Sequence, residues 1–310
     1  MSEKTWRGIR KIAVIGAGAM GAFYAAKFFD MDPGSVFLIA NGERYTRLKS
    51  GGIVVNGKRY DIRVKAPAEG TDPFDLILCA VKHHQLDSAI EDMRPLVGDD
   101  SIIISVMNGI DSEKRIEAAL GKGKVLLCAA VGIDAVRDEN SVTYSKEGKL
   151  VFGEAYNASL SEHVLRLQNL FIRTRIPNEI PQDMTRALWW KFMVNVGVNQ
   201  VSAVLKAPYG VFQRSEDASY LTDMAMMEVI EVARKEGVDL KADDISKWNE
   251  VVKGLSPDGK TSMLQDVEAG RRTEVDMFAG RVIELGQKHG LPTPVNQVLY
   301  RCIRVIESGF

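Results

Sequence analysis

Ile12-Ala13-Val14-Ile15-Gly16-Ala17-Gly18-Ala19-Met20-Gly21 is followed at once by Ala22-Phe23-Tyr24-Ala25-Ala26-Lys27-Phe28-Phe29. Four apolar residues read as a short buried strand, and the alanine-rich stretch reads as a helix. Between them Gly16, Gly18 and Gly21 make a G-x-G-x-x-G loop. The first glycine permits the tight turn, the second lets backbone approach a pyrophosphate, and the third lets helix and strand pack closely. The N-terminus of the helix then presents unpaired N–H groups to an anion. A glycine spacing alone is a weak signal. Here it follows a strand and opens a helix, which is the context that gives it meaning. The cofactor contacts expected from this loop are Gly16, Ala19, Met20, Gly18 and Gly21.

Working outward, residues 36–40 form the next apolar run, so the opening is a βαβ unit and implies a parallel sheet covered by helices. Residues 53–64 alternate around Asn56-Gly57 and read as one β-hairpin with a primed turn. Strands are expected at 76–81, 102–106 and 125–131, with two more short ones in 142–153. Helices are expected at 85–96 and 160–173. From 183 onward the pattern becomes helical throughout, with helices at 183–205, 216–236, 241–253, 275–289 and 294–307. The expected fold class is therefore α/β. A Rossmann-type dinucleotide-binding domain over residues 1–180 is followed by an all-α domain over 181–310, with the boundary at 178–182 and a cleft between the two.

The composition agrees with such a chain. Its 310 residues are 45% hydrophobic and 26% charged, which excludes a disordered, collagen-like or disulfide-dense protein. Lys and Arg number 40 against 41 Asp and Glu, so no excess positive charge drives nucleic-acid binding. No apolar run is long enough to span a bilayer. The basic residues before Lys11 and the apolar run after it superficially resemble a signal peptide, but the glycine spacing accounts for them better. Cys79, Cys128 and Cys302 read as reduced thiols of a cytoplasmic protein, and no Cys/His clustering suggests a metal.

An acidic residue at the end of the second strand would hold the ribose hydroxyls of NAD. The sequence there is Leu38-Ile39-Ala40-Asn41-Gly42-Glu43-Arg44. Asn41 is uncharged, and Arg44 and Arg47 follow within reach of a 2′-phosphate, which favours NADP(H). The alternative is that both arginines are solvated helix residues.

Residues 187–205, ALWWKFMVNVGVNQVSAVL, are apolar on almost every side. At about 100° per residue, Lys191, Asn195, Asn199 and Ser202 fall in a sector of roughly 80°, with Gln200 on the far side. A polar stripe on a buried helix needs partners, and the wall of a polar cleft supplies them. A lysine in that position can donate a proton to a carbonyl oxygen as hydride reaches carbon. The alternative is a structural lysine paired with a carboxylate. Lys82 and Asn108 follow two strands at the ends where open α/β sheets bind ligands. His83 and His84 read as surface residues. Ser262 or Thr273 reads as a helix N-cap, and Glu274 or Asp276 as a first-turn carboxylate.

Taken together, these residues resemble the ketopantoate reductase (2-dehydropantoate 2-reductase) family over nearly the whole chain. The resemblance rests on GAGAMG at 16–21, AVKHHQ at 80–85, MNGI at 107–110, KFMVNVGVN at 191–199 and SMLQDVEAGRRTEVD at 262–276. It implies NADPH-dependent reduction of a 2-oxo acid to a 2-hydroxy acid in pantothenate biosynthesis. Lys191 is then the general acid, and Asn195, Asn199 and Ser262 contact substrate. Glu274 supports substrate binding and catalysis and reaches the cofactor, as do Lys82 and Asn108, the latter also beside substrate. Asn41 departs from the family, where an arginine often stands. Two other readings remain: a reductase of another branched 2-oxo acid, and a dinucleotide-binding sensor without turnover. The expected partners are a small 2-oxo acid and, at most, a second copy in a homodimer, with no nucleic acid or membrane.

Overall fold

The computed structural model describes residues 8–69, 72–138 and 141–310, so the basic residues before Gly8 lie outside it. The chain divides into two compact units, Met1–Thr185 and Arg186–Phe310. The first contains β1 (Ile12–Ile15), α1 (Ala19–Met31), β2 (Val36–Ile39), α2 (Gly42–Gly51), β3 (Ile53–Val55), β4 (Lys58–Tyr60), β5 (Arg63–Lys65) and β6 (Leu76–Cys79). It continues with α3 (Leu86–Met93), β7 (Ile102–Ser105), α4 (Ser112–Leu120), β8 (Val125–Ile133), β9 (Val136–Asp138), β10 (Ser141–Thr143), β11 (Glu147–Gly153), α5 (Glu162–Arg173) and β12 (Asn178–Glu179).

The main sheet runs β12-β11-β8-β7-β6-β1-β2-β5. From β5 to β8 every pairing is parallel, and β11 returns antiparallel to β8. The four-residue runs β1, β2, β6 and β7 are buried at every position, as strands covered on both faces must be. Two separate apolar clusters cover those faces. One holds Val14, Phe23, Phe28 and Leu78, and the other Ile15, Phe37, Ile77 and Met93.

A second, small sheet has the order β4-β3-β10-β9. This corrects the reading of 53–64 as one hairpin. Asn56 and Gly57 both take positive φ (46° and 78°), so the primed turn between β3 and β4 forms. The chain then breaks at Asp61-Ile62, and β5 leaves to pair with β2 in the main sheet. There the guanidinium of Arg63 stacks over the Phe37 ring at 4.1 Å, a contact the alternation pattern does not reveal. The segment at 178–179 pairs with β11 as an edge strand, which keeps it in the first unit.

The second unit is helical in all its regular structure. It holds all but the first two residues of α6 (Met184–Val194), and α7 (Gln200–Leu205), α8 (Tyr209–Arg214), α9 (Glu216–Lys235), α10 (Ala242–Lys253), α11 (Ser262–Glu268), α12 (Arg281–His289) and α13 (Pro294–Glu307). Two of the expected helices are interrupted. A π-helical turn at Asn195–Asn199 separates α6 from α7, and another at Asp276–Gly280 precedes α12. Near the first, a Cβ added at Gly197 would stand 2.7 Å from the Met226 side chain, so α9 packs directly on this turn.

Asp244, fully buried, caps α10 through the Lys241 N–H at 2.9 Å and pairs with Arg186 at 2.7 Å. Glu236, just after α9, pairs with Lys288 at 2.6 Å and His289 at 2.5 Å on α12. Hydrogen bonds from Lys288 and then His289 hold its carboxyl at about 2, below the ordinary 4.5. A depressed carboxyl stabilises the fold fully above its unfolded pKa and ceases to do so as pH falls through the folded one. The difference in Tm between the parent and Glu236→Gln is therefore expected to be largest near neutral pH and to shrink between about pH 5 and pH 2. A pH series of thermal melts checks this, and a difference independent of pH would assign the ion pair no part in it.

The thiols of Cys79 and Cys128 are buried and that of Cys302 is partly exposed, and none of the three forms a disulfide. Burial pushes the Cys79 thiol up to about 12. No helix among the described residues is long and apolar enough to cross a membrane.

Candidate active site

In the first unit the site is built at the C-terminal ends of β1, β2, β6 and β7. Strand register does the placing. Ile15 lies opposite Ile39 and Cys79, and Cys79 opposite Ser105, so the residues after each strand emerge together. The Ala80 N–H donates to the Ile15 carbonyl at 2.8 Å and the Val106 N–H to the Cys79 carbonyl at 2.9 Å. These bonds bring the segment leading to Lys82 alongside the glycine loop, and the segment leading to Asn108 alongside that of Lys82. Lys82 is exposed and Asn108 half-buried.

The loop itself has the shape a dinucleotide needs. Gly16 takes φ 96°, and a Cβ there would lie 2.5 Å from the Ala80 carbonyl oxygen. A Cβ on Gly21 would lie 1.7 Å from the Gly16 carbonyl oxygen, so α1 and the loop touch through bare backbone. At Gly18 a Cβ would meet nothing within 4 Å, which leaves room above the loop. Gly18 caps α1 without a side-chain hydrogen bond, and the first turn carries no acidic residue. The positive end of the helix is therefore offered to an anion rather than neutralised by the chain. Ala19 and Met20 form that first turn.

The end of β2 is more elaborate than its sequence suggests. Asn41 precedes α2, and its Nδ2 donates to Asp92 Oδ1 of α3 at 2.9 Å. Burial pushes the Asp92 carboxyl up, and the positive field of Arg44 opposes that shift. Arg44 and Arg47 are exposed on α2. Sequence reasoning missed Asp92, because nothing local in α3 marks a residue that will reach a neighbouring strand end.

In the second unit Lys191 lies in the last turn of α6 and is half-buried, as is Asn195. Asn199 is buried, and its Nδ2 donates a long hydrogen bond, 3.4 Å, to Ser262 Oγ. Two motifs 63 residues apart thus meet. Ser262 is the first residue of α11 and is exposed, whereas Thr261 is the actual N-cap, its side chain accepting from the Leu264 N–H at 3.2 Å. This corrects the reading of Ser262 as a cap and leaves its hydroxyl on the Asn199 side. Ser202 departs from the stripe. It is fully buried, donates to the Ala207 carbonyl at 2.6 Å and accepts from Thr261 Oγ1 at 3.1 Å, so it braces α11.

The π-helical turn explains the change of partners. Closing i to i+5 winds the chain by roughly 80° per residue instead of about 100°. Over five residues this returns Asn199 to nearly above Lys191 and rotates Ser202 away.

Glu274 is half-buried on the segment that leads into the second π-helical turn. That segment is anchored on both sides. Thr273 donates through its N–H and its hydroxyl to Glu307 Oε1, both at 2.7 Å, and is not a helix cap. Asp276 accepts from Tyr300 Oη at 2.9 Å and pairs with Arg272 at 3.0 Å. Asp266 pairs with Arg271 at 2.9 Å. These neighbours are structural partners of the Glu274 segment.

Gln200 had no role in the sequence pattern and is central in the fold. Its Nε2 donates to the Val196 carbonyl at 2.6 Å and to Asn296 Oδ1 at 3.1 Å, and its Oε1 accepts from the Ala279 N–H at 3.2 Å. One buried side chain therefore ties the π-helical turn carrying Asn195 and Asn199 to the one following Glu274.

Comparison with known proteins agrees with this architecture. The model of the family described as ketopantoate reductase PanE/ApbA matches residues 12–157, and its C-terminal counterpart matches residues 183–307. A 2-dehydropantoate 2-reductase of Pyrococcus horikoshii is 27% identical over 308 residues, covering 96% of this chain and 98% of that protein. The crystal structure of a PanE/ApbA family ketopantoate reductase from Ralstonia eutropha JMP134 superposes with a TM-score of 0.81. It is 27% identical and covers 96% of this chain and 99% of its own. The ternary structure of D-mandelate dehydrogenase with NADH and anilino(oxo)acetate shares the fold, with a TM-score of 0.87 at 22% identity, covering 96% of this chain and 99% of that one.

Proposed function

The chain belongs to the ketopantoate reductase PanE/ApbA family, and from that premise we propose that it is an NADPH-dependent 2-dehydropantoate 2-reductase. The observation that carries the reading is the meeting of Asn199 and Ser262 on the helical unit that holds Lys191, because it joins the two most specific motifs at one place. A reduced nicotinamide bound to the first unit would supply the hydride for C2 of the 2-oxo acid. The glycine loop and the first turn of α1 would hold the pyrophosphate, Lys82 and Asn108 the nicotinamide end, and Arg44 and Arg47 the 2′-phosphate.

Lys191 is the general acid. It gives its proton to the substrate oxygen that was the C2 carbonyl, and its positive charge stabilises that oxygen while negative charge develops there. Asn195, Asn199 and Ser262 donate to or accept from the substrate's carboxylate and hydroxyl groups. They orient the carbonyl, and much of the rate enhancement comes from that alignment. Glu274, on the segment before the second π-helical turn, supports substrate binding and catalysis.

The test is NADPH oxidation by the purified protein with 2-dehydropantoate, run beside NADH, a smaller 2-oxo acid and a phenyl-bearing one. Saturable turnover fastest with NADPH and 2-dehydropantoate is expected. Faster turnover of the phenyl-bearing acid would move the proposal to a different 2-oxo acid. Binding of NADPH with no turnover of any of them would make the chain a dinucleotide sensor.

A further inference from the structure

Arg137 lies on β9 in the small sheet, 120 residues from the glycine loop, and its Nη1 donates to the carbonyl of Ala17 at 2.8 Å. Ala17 stands between the first two glycines of the loop. The side chain is half-buried and its direction is set by that bond. In the main sheet β2 lies beside β1 with Ile39 opposite Ile15. Helix α2 starts at Gly42, so Arg44 sits in its first turn and Arg47 about one turn later.

The three cationic side chains feel one another. Burial lowers the affinity of Arg137 for its proton, and the positive fields of Arg47 and Arg44 lower it further. Positive charges gathered at the edge of a phosphate-binding loop favour the arrival of a further anion. The bond to Ala17 also gives the planar guanidinium fork a fixed orientation, which suits recognition of a phosphate.

We propose that Arg137 is a specificity-determining residue for the 2′-phosphate of the dinucleotide, closing with Arg44 and Arg47 a three-arginine subsite at the end of β2. The inference rests on the NADPH reading of the site. It adds a contribution from the small sheet, which otherwise has no part in the chemistry. It also accounts for Asn41, since a subsite supplied by α2 and β9 has no need of an arginine at the strand end itself.

The experiment is equilibrium binding to the full-length protein, followed by nicotinamide fluorescence for NADPH and NADH. Calorimetry with adenosine 2′,5′-bisphosphate and with 5′-AMP isolates the phosphate itself. In the parent, NADPH and the bisphosphate are expected to bind more tightly than NADH and AMP. Arg137→Gln is expected to weaken NADPH and the bisphosphate by about 10–100-fold while changing NADH and AMP by no more than about 2-fold. Arg137→Lys keeps the charge without the fork and is expected to recover part of the loss. Equal weakening of phosphorylated and unphosphorylated ligands would reduce Arg137 to a brace for the loop and overturn the proposal, as would no change at all. A parent that binds NADH as tightly as NADPH would overturn the cofactor reading itself, which the unmutated protein reveals before any variant is made.

Discussion

Replacing Lys191 by alanine is expected to lower kcat by about 10²–10⁴-fold and to leave NADPH affinity within about 2-fold of the parent. The size follows from the two tasks assigned to one side chain, giving a proton and stabilising the developing oxyanion. The selectivity follows from position. Lys191 stands on α6 in the helical unit, whereas the glycine loop, Lys82, Asn108, Arg44 and Arg47 belong to the first unit. Lys191→Arg separates the two tasks. It keeps a positive charge but does not release its proton at any working pH, so it is expected to remain at least about 10-fold slower than the parent in single turnover. The checks are pre-steady-state NADPH oxidation for the chemical step and fluorescence titration for binding. A parallel fall of NADPH affinity and activity in Lys191→Ala would remove it from the chemistry and make it a structural lysine.

Gly21→Ala is expected to destroy the dinucleotide site and destabilise the protein by about 3 kcal/mol. The added methyl would stand 1.7 Å from the Gly16 carbonyl oxygen and 3.2 Å from Ala80 Cβ. The first of these is backbone, so α1 must move away from β1 to admit it. Such a movement displaces the N-terminal turn that would meet the pyrophosphate. Gly18→Ala is the matched control, because its methyl meets no protein atom within 4 Å. It is expected to melt within about 1 °C of the parent and still bind NADPH more than about 10-fold more weakly, since the methyl occupies the space left for the phosphates. Thermal melts beside cofactor titration test the pair. Normal NADPH binding in Gly18→Ala would mean that the dinucleotide does not lie over this loop.

The sheet and its glycine loop are legible from 12–21 because hydrophobic runs and glycine spacing are local signals. The helical second half is legible for the same reason, through the repeating apolar residues of 216–236 and 294–307. The failures are where one backbone hydrogen bond changes register. No residue in NVGVN announces that the helix will close i to i+5 there. A uniform 100° rotation therefore put Ser202 on the Lys191 face and Gln200 opposite it, whereas the fold buries both in structural roles. The stretch 53–64 alternates like a single hairpin because residues on β5 alternate as well, although they pair with a different sheet. Asp92 and Arg137 escaped notice because each acts at a strand end or loop distant in sequence. Only the assembled fold places them there.

The bridge that Gln200 makes between the two π-helical turns has an evolutionary side. Each such turn is in effect a helix with one residue too many, and a single deletion would restore regular winding. Here the Val196 carbonyl of the first and the Ala279 N–H of the second are both satisfied by the same amide. Loss of either insertion alone would strand the opposite end of Gln200 in the core, where an unmet hydrogen bond costs about 1–3 kcal/mol. The two insertions and the Gln200–Asn296 side-chain pair are thus expected to show epistasis. Loss of both insertions together is expected to cost less than the sum of the two single losses, so the two irregular turns are expected to persist or vanish together.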